Sequence, residues 1–169
     1  MYINSTIGFG ETNMELTFKE KSAWISFICT IGIFGYYFVE LMALSGSDTG
    51  QTRTAALWLL GKILIMSVVV ESVFHGMLAV ANPSGAQMNG DERDRHIEQK
   101  ANQYGYYVLS TGVIIVIGRM VVLEVFPGFD EARSSLAIPM LTMHMLMFSF
   151  VLSELTRFGA QILMHRWGE

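Results

Sequence analysis

The chain has 169 residues and a formal net charge of -4; 51% of it is hydrophobic and 15% charged, with a mean hydropathy of +0.40. That balance excludes an ordinary soluble globule and points to the bilayer as the solvent. A single cysteine, Cys29, excludes a disulfide framework, and the small, mixed charge argues against a nucleic-acid partner.

The first apolar run follows an acidic and polar segment rather than a short basic one, so no removable signal is expected and every span should remain in the mature protein. A helix needs roughly 20 mostly apolar residues to cross the hydrocarbon. Four stretches reach that length, at about 24-46, 55-80, 104-126 and 136-157. The expected fold is an all-α integral membrane protein, a single domain over 1-169, with four transmembrane helices as two helical hairpins. A short Gly/Ser/Thr-rich linker separates the first pair, and a short one from Pro127 to Ser135 separates the second. The long loop 82-102 between the pairs holds DERDRHIEQK, Asp91 to Lys100.

Basic residues alternate along the chain. Lys19 and Lys21 precede the first span, Arg93, Arg95 and Lys100 lie in the central loop, and Arg157 and Arg166 sit towards the end; the short linkers carry only Arg53 and Arg133. By the positive-inside rule, both termini and the central loop face the cytoplasm of a multi-pass protein in the inner (plasma) membrane.

Two shifts superpose the halves. An offset of 79 lays Met14–Lys21 on Arg93–Lys100 and Glu40 on Arg119; an offset of 83 lays Ser67–Gly76 on Phe150–Gly159 and Glu71 on Glu154. One reading is a parallel internal repeat about an axis along the membrane normal. The other is the shared grammar of membrane helices.

The spans contain ionisable groups, and each costs about 2.5 to 3.5 kcal/mol at a helix centre unless it faces a partner or water. Counted from each entrance, Glu40, Lys62, Arg119 and His144 form an outer layer, and Glu71, His75, Glu154 and Arg157 an inner one. Ser26, Thr30, Ile33, Tyr37 and Glu40 recur at helical spacing along one face of the first span. Asn102, Gly105, Leu109, Gly112, Val116 and Arg119 do so on the third, where the two glycines would admit another helix closely. The functional reading is a polar pathway interrupted by ion pairs such as Glu40 with Arg119 or Lys62; the alternative is that these pairs only fix register. Glu71 and His75, at i and i+4, share a face that Glu154 could meet, and a titrating acid there would couple the protein to protons.

Metal chemistry is the weaker reading. Only one histidine, His75, lies at the depth of Glu71 and Glu154, and the Glu-x-x-His spacing of di-iron bundles is missing. Met140, Met143, His144 and Met147 can share a face, and thioethers suit Cu(I), but methionine is also an adaptable packing residue and twelve are spread over the chain. No cofactor is expected. There is also no phosphate-cradling glycine loop or nucleophile elbow, so an enzyme is not expected.

The Asp91, Glu92, Arg93 and Asp94 run just before a span resembles a group of small, uncharacterised bacterial four-span membrane proteins that carry an Asp-Glu-Arg-Asp motif before the third helix. The resemblance implies a cytoplasmic motif between helix pairs and supplies no activity or catalytic residues. The same acids also suit the positive end of a helix dipole. Two functions follow: a transporter- or channel-like protein whose charged layers line or gate a pathway, or a non-catalytic regulator or sensor that docks a cytosolic partner through 91-100. Expected contacts are the lipid bilayer and further copies of the chain.

Overall fold

A computed structural model describes residues 17–45, 50–83, 91–126 and 138–167. Met14 to Leu16, positions 84–90 of the central loop and positions 127–137, with Arg133 and the expected start of the fourth span, lie outside them. The described residues form four helices: α1 (Phe18–Ala43), α2 (Gly50–Ala81), α3 (Glu92–Val125) and α4 (Leu141–Trp167). Each is long and apolar enough to cross a membrane.

Side-chain caps set where two of the helices start. Thr17 accepts the backbone N–H of Glu20 at 3.1 Å, and Asp91 accepts that of Asp94 at 2.7 Å, each satisfying one of the orphan donors of a first turn. Helix α3 therefore begins twelve residues upstream of its apolar stretch, and most of DERDRHIEQK is its first turns. At 1.5 Å per residue its 34 residues reach roughly 50 Å, well beyond a hydrocarbon core of about 30 Å. Helix α4 begins later than its apolar composition suggests. Buried Pro139 precedes Met140, whose φ of 57° is left-handed and interrupts the helical path, and regular helix starts at Leu141.

Helix α1 packs against α2 and α4, and α3 packs against α4. The inner pair is thus α1 and α4, flanked by α2 and α3. Within the most apolar part of each helix, 33% of α1 and 28% of α4 are buried by the chain, against 6% of α2 and of α3. Ile65, Val68 and Val69 on α2 and Ile114, Ile115 and Ile117 on α3 face outward. In water such faces would associate, whereas in a bilayer they meet lipid at no cost. The apolar core joins Ile33, Phe34, Tyr37 and Leu41 of α1 to Ala56 and Ile63 of α2 and Val151 of α4.

The close approach expected at Gly105 and Gly112 is made by α4. A methyl group on Gly105 would stand 3.2 Å from the Ser153 carbonyl oxygen and from Arg157 Cβ, and one on Gly112 would overlap the Ser149 side chain. At that separation Ser153 Oγ donates to the Gly105 carbonyl at 2.9 Å. Gly118, on the same helix, faces open space. Gly112→Ala should therefore lose about 1–3 kcal/mol by overpacking, while Gly118→Ala should be neutral or slightly stabilising. Equilibrium unfolding in mixed micelles distinguishes them.

Candidate functional site

The polar groups of the bundle gather at the end that holds the start of α1 and the end of α4, where all four helices border a cavity of about 280 Å³. Helix α1 contributes Ser22 and Ser26, one turn apart. Helix α2 contributes Glu71 and His75, also one turn apart. The two pairs meet: Ser22 Oγ is 3.3 Å from His75 Nδ1 and Ser26 Oγ is 2.9 Å from His75 Nε2, so a hydroxyl bonds each ring nitrogen.

Helix α4 supplies Arg157, which pairs with Glu154 one turn earlier, its Nε 3.2 Å from Oε2. The guanidinium also lies over the Phe158 ring, 4.2 Å from its centroid. Glu71 lies within electrostatic reach of His75, Glu154 and Arg157. The structure therefore brings together the four residues assigned to an inner layer, with His75 bonded to serines and not to a carboxylate. Among the described residues Glu71 forms no ion pair.

Ion pairs between helices close the rim. Lys19 Nζ is 3.7 Å from Glu98 Oε2, linking α1 to α3, and His165 Nδ1 is 3.8 Å from Asp94 Oδ1, linking α4 to α3. Arg166 Nε donates to Glu20 Oε1 at 3.1 Å, tying α4 to α1, and its guanidinium also lies over the Trp24 ring. The Asp91 to Asp94 motif is thus divided: Asp91 caps, Asp94 joins the rim, and Glu92 and Arg93 are exposed.

The outer layer does not assemble in the same way. His144 is buried and its Nδ1 shares a short hydrogen bond with the hydroxyl of Tyr37, which has no exposed surface. Glu40 lies on the exposed side of α1, because Leu41 and not Glu40 continues the buried series Ser26, Thr30, Ile33, Tyr37. Lys62 is exposed on α2, with Nζ 5.6 Å from the Tyr36 ring centroid. Arg119 is half-buried on α3. Among the described residues no ion pair joins Glu40 to Arg119 or to Lys62. Between α1 and α3, over α4, runs an apolar groove of about 770 Å³ with His144 in its wall.

Among the described residues no group of three or more His, Cys, Asp or Glu side chains is placed to hold a metal ion. Met147 packs against the apolar core. Sequence reasoning missed Ser22, Gln161 and His165 at the cavity and the Tyr37–His144 bond. The i, i+4 spacing of Ser22 to Ser26, and the steps of four, three and four from Asp94 to Glu98, Ala101 and Gly105, carried the signal.

Fold and site define a helical protein with four candidate membrane spans. No known protein family, curated protein or solved structure matches the chain.

The rim pairs differ in burial. Glu20 is 6% exposed, so Arg166→Ala strands a buried carboxylate and should lose about 1–3 kcal/mol. Lys19 and Glu98 are largely exposed, and Lys19→Ala should lose less than about 1 kcal/mol. Unfolding curves in micelles give both values.

Proposed function

We propose that the chain is a non-enzymatic, transporter- or channel-like protein of the inner (plasma) membrane, with both termini in the cytoplasm and the polar cavity serving as a cytoplasmic vestibule for a small polar solute or ion. One observation carries this reading: a polar cavity at the depth of Glu71, walled by all four helices, with an acid that no described cation pairs. A bundle in which charges only fixed register would be dry there, each charge matched. Beyond Thr30 the interior becomes apolar, and Ile33, Tyr37, Ile63 and Val151 stand as the closed barrier of an inward-facing state.

The reading includes two helical hairpins related by a parallel repeat, which the nearness of Glu71 and Glu154 supports. It also includes self-association. Glu40 and Lys62 lie on the outer surface, where a charge in lipid is costly; Gly32 and Gly35 on α1 leave open space beside them. A second copy that set its Lys62 against Glu40 would neutralise both. Glu40→Lys should then weaken self-association by about tenfold, and the Glu40→Lys, Lys62→Glu double variant should regain most of it, read by dilution-dependent energy transfer between labelled copies in vesicles.

The second reading, docking of a cytosolic partner, draws on the exposed Glu92, Arg93, Arg95 and His96 at the start of α3. The two separate cleanly in one experiment. In a Cys29→Ala background, Gln161→Cys in vesicles should react with a charged, membrane-impermeant thiol reagent from the side of the termini only. Wild-type vesicles should pass a small tracer ion faster than protein-free ones. A cavity closed to the reagent, with no flux, would exclude the vestibule.

A further inference from the structure

We infer that His75, clamped between Ser22 and Ser26 and one turn from Glu71, is a proton-carrying site, and that the proton is the ion the cavity handles. The inference rests on the reading of the cavity as a vestibule and names its substrate.

The geometry carries the argument. A neutral imidazole offers one donor nitrogen and one acceptor nitrogen, whereas an imidazolium offers two donors. Most partners satisfy one state only: a carbonyl demands a donor, an ammonium an acceptor. A serine hydroxyl is both, and it changes role by rotating about its C–O bond. With Ser22 Oγ at 3.3 Å from Nδ1 and Ser26 Oγ at 2.9 Å from Nε2, His75 can gain or lose a proton with both nitrogens still bonded and without moving its ring. A histidine serving only as a packing or register element has no need of two amphoteric partners.

The surroundings leave room for that exchange. On α1, Lys19 is matched by Glu98 of α3; on α3, Asp94 is matched by His165 of α4; on α4, Arg157 is matched by Glu154. The Lys19–Glu98 and Arg157–Glu154 pairs balance in sign. Glu71, on the same helix as His75, has no ion pair among the described residues, and it lies within electrostatic reach of the imidazole. A carboxylate and an imidazole so placed hold one proton between them: hydronium in the cavity gives its proton to the ring, the imidazolium passes it to the Glu71 carboxylate, and the neutral ring is restored. No bond joins the two directly, and a cavity of about 280 Å³ has room for several water molecules to bridge them. The single transfer balances, hydronium becoming water and the Glu71 carboxylate becoming its acid, and Glu71 must give that proton up to water before it accepts the next.

The test uses full-length protein in vesicles loaded with a pH-sensitive dye, with a potassium gradient and valinomycin setting a lumen-negative potential. Wild-type vesicles should acidify faster than protein-free ones. His75→Gln keeps a hydrogen-bonding side chain but cannot be protonated, and should slow acidification by about tenfold or more. Glu71→Gln should do the same, and Ser22→Ala with Ser26→Ala should produce a partial loss. Arg93→Gln, exposed at the start of α3 and away from the cavity, should stay near wild type. Unaltered elution and melting of each variant keep misfolding out of the result, and Glu71→Gln decides if His75→Gln does not fold. Acidification that both His75→Gln and Glu71→Gln leave unchanged would overturn the inference. So would a wild type that passes a tracer ion and admits the thiol reagent at Gln161→Cys yet moves no protons; that outcome spares the vestibule. A closed cavity with no flux of any kind overturns both.

Discussion

The contact between α1 and α4 is the interaction on which the rest of the structure depends. It is bracketed by two polar bonds, Glu20 with Arg166 at one end and Tyr37 with His144 at the other, set roughly 25 Å apart along α1 by its 1.5 Å rise. A bilayer provides little hydrophobic driving force between helices, so association leans on packing and on hydrogen bonds between them. Both bonds have at least one deeply buried member, which makes a missing partner costly. With this pair fixed, α2 and α3 have only outer flanks to occupy. Each then gives one narrow face to the bundle and the remainder to lipid.

Close packing of α3 on α4 follows from that arrangement. Ser149, Ser153 and Arg157 form one face of α4, and only residues without a side chain can lie against the serines at Gly112 and Gly105. The approach has a polar consequence. It brings the first turns of α3 against the last turns of α4, so Asp94 meets His165, and it leaves the Arg157 guanidinium to turn towards Glu154 and the Phe158 ring. The cavity is the space left where four helix ends bearing long polar side chains cannot fill the centre of the bundle.

The four candidate spans were legible because length and apolar content belong to each helix by itself, whatever the partner helix. Depth along a helix follows from counting residues, and Glu71, His75, Glu154 and Arg157, counted to one depth, lie near one another. Rotation about the helix axis is less secure. After Ser26, Thr30, Ile33 and Tyr37, a step of 3.6 residues falls between Glu40 and Leu41, and the core takes the apolar one. The expected partnership of Glu40 with Arg119 required α1 and α3 to face each other. Which helices are neighbours depends on α4 lying between them, and no spacing within a single helix encodes that. The start of α3 shows the converse: cap residues Asp91 and Thr17 are local signals, and the helices begin beside them.

The division of the interior into a polar end and a dry end bears on what two histidines, buried His144 and half-buried His75, can do. Both are bonded to hydroxyl groups, yet their situations differ. His144 meets a phenol with no exposed surface, and charging it there would place an ion in the wall of an apolar groove beside Phe38 and Phe148 with little to solvate it. His75 meets two hydroxyls at the edge of a polar cavity, with a carboxylate one turn away. The same residue type thus meets an apolar, aromatic setting in the first case and a polar one in the second. What distinguishes them is whether each nitrogen keeps a partner, and each charge a compensating neighbour, when the proton count changes.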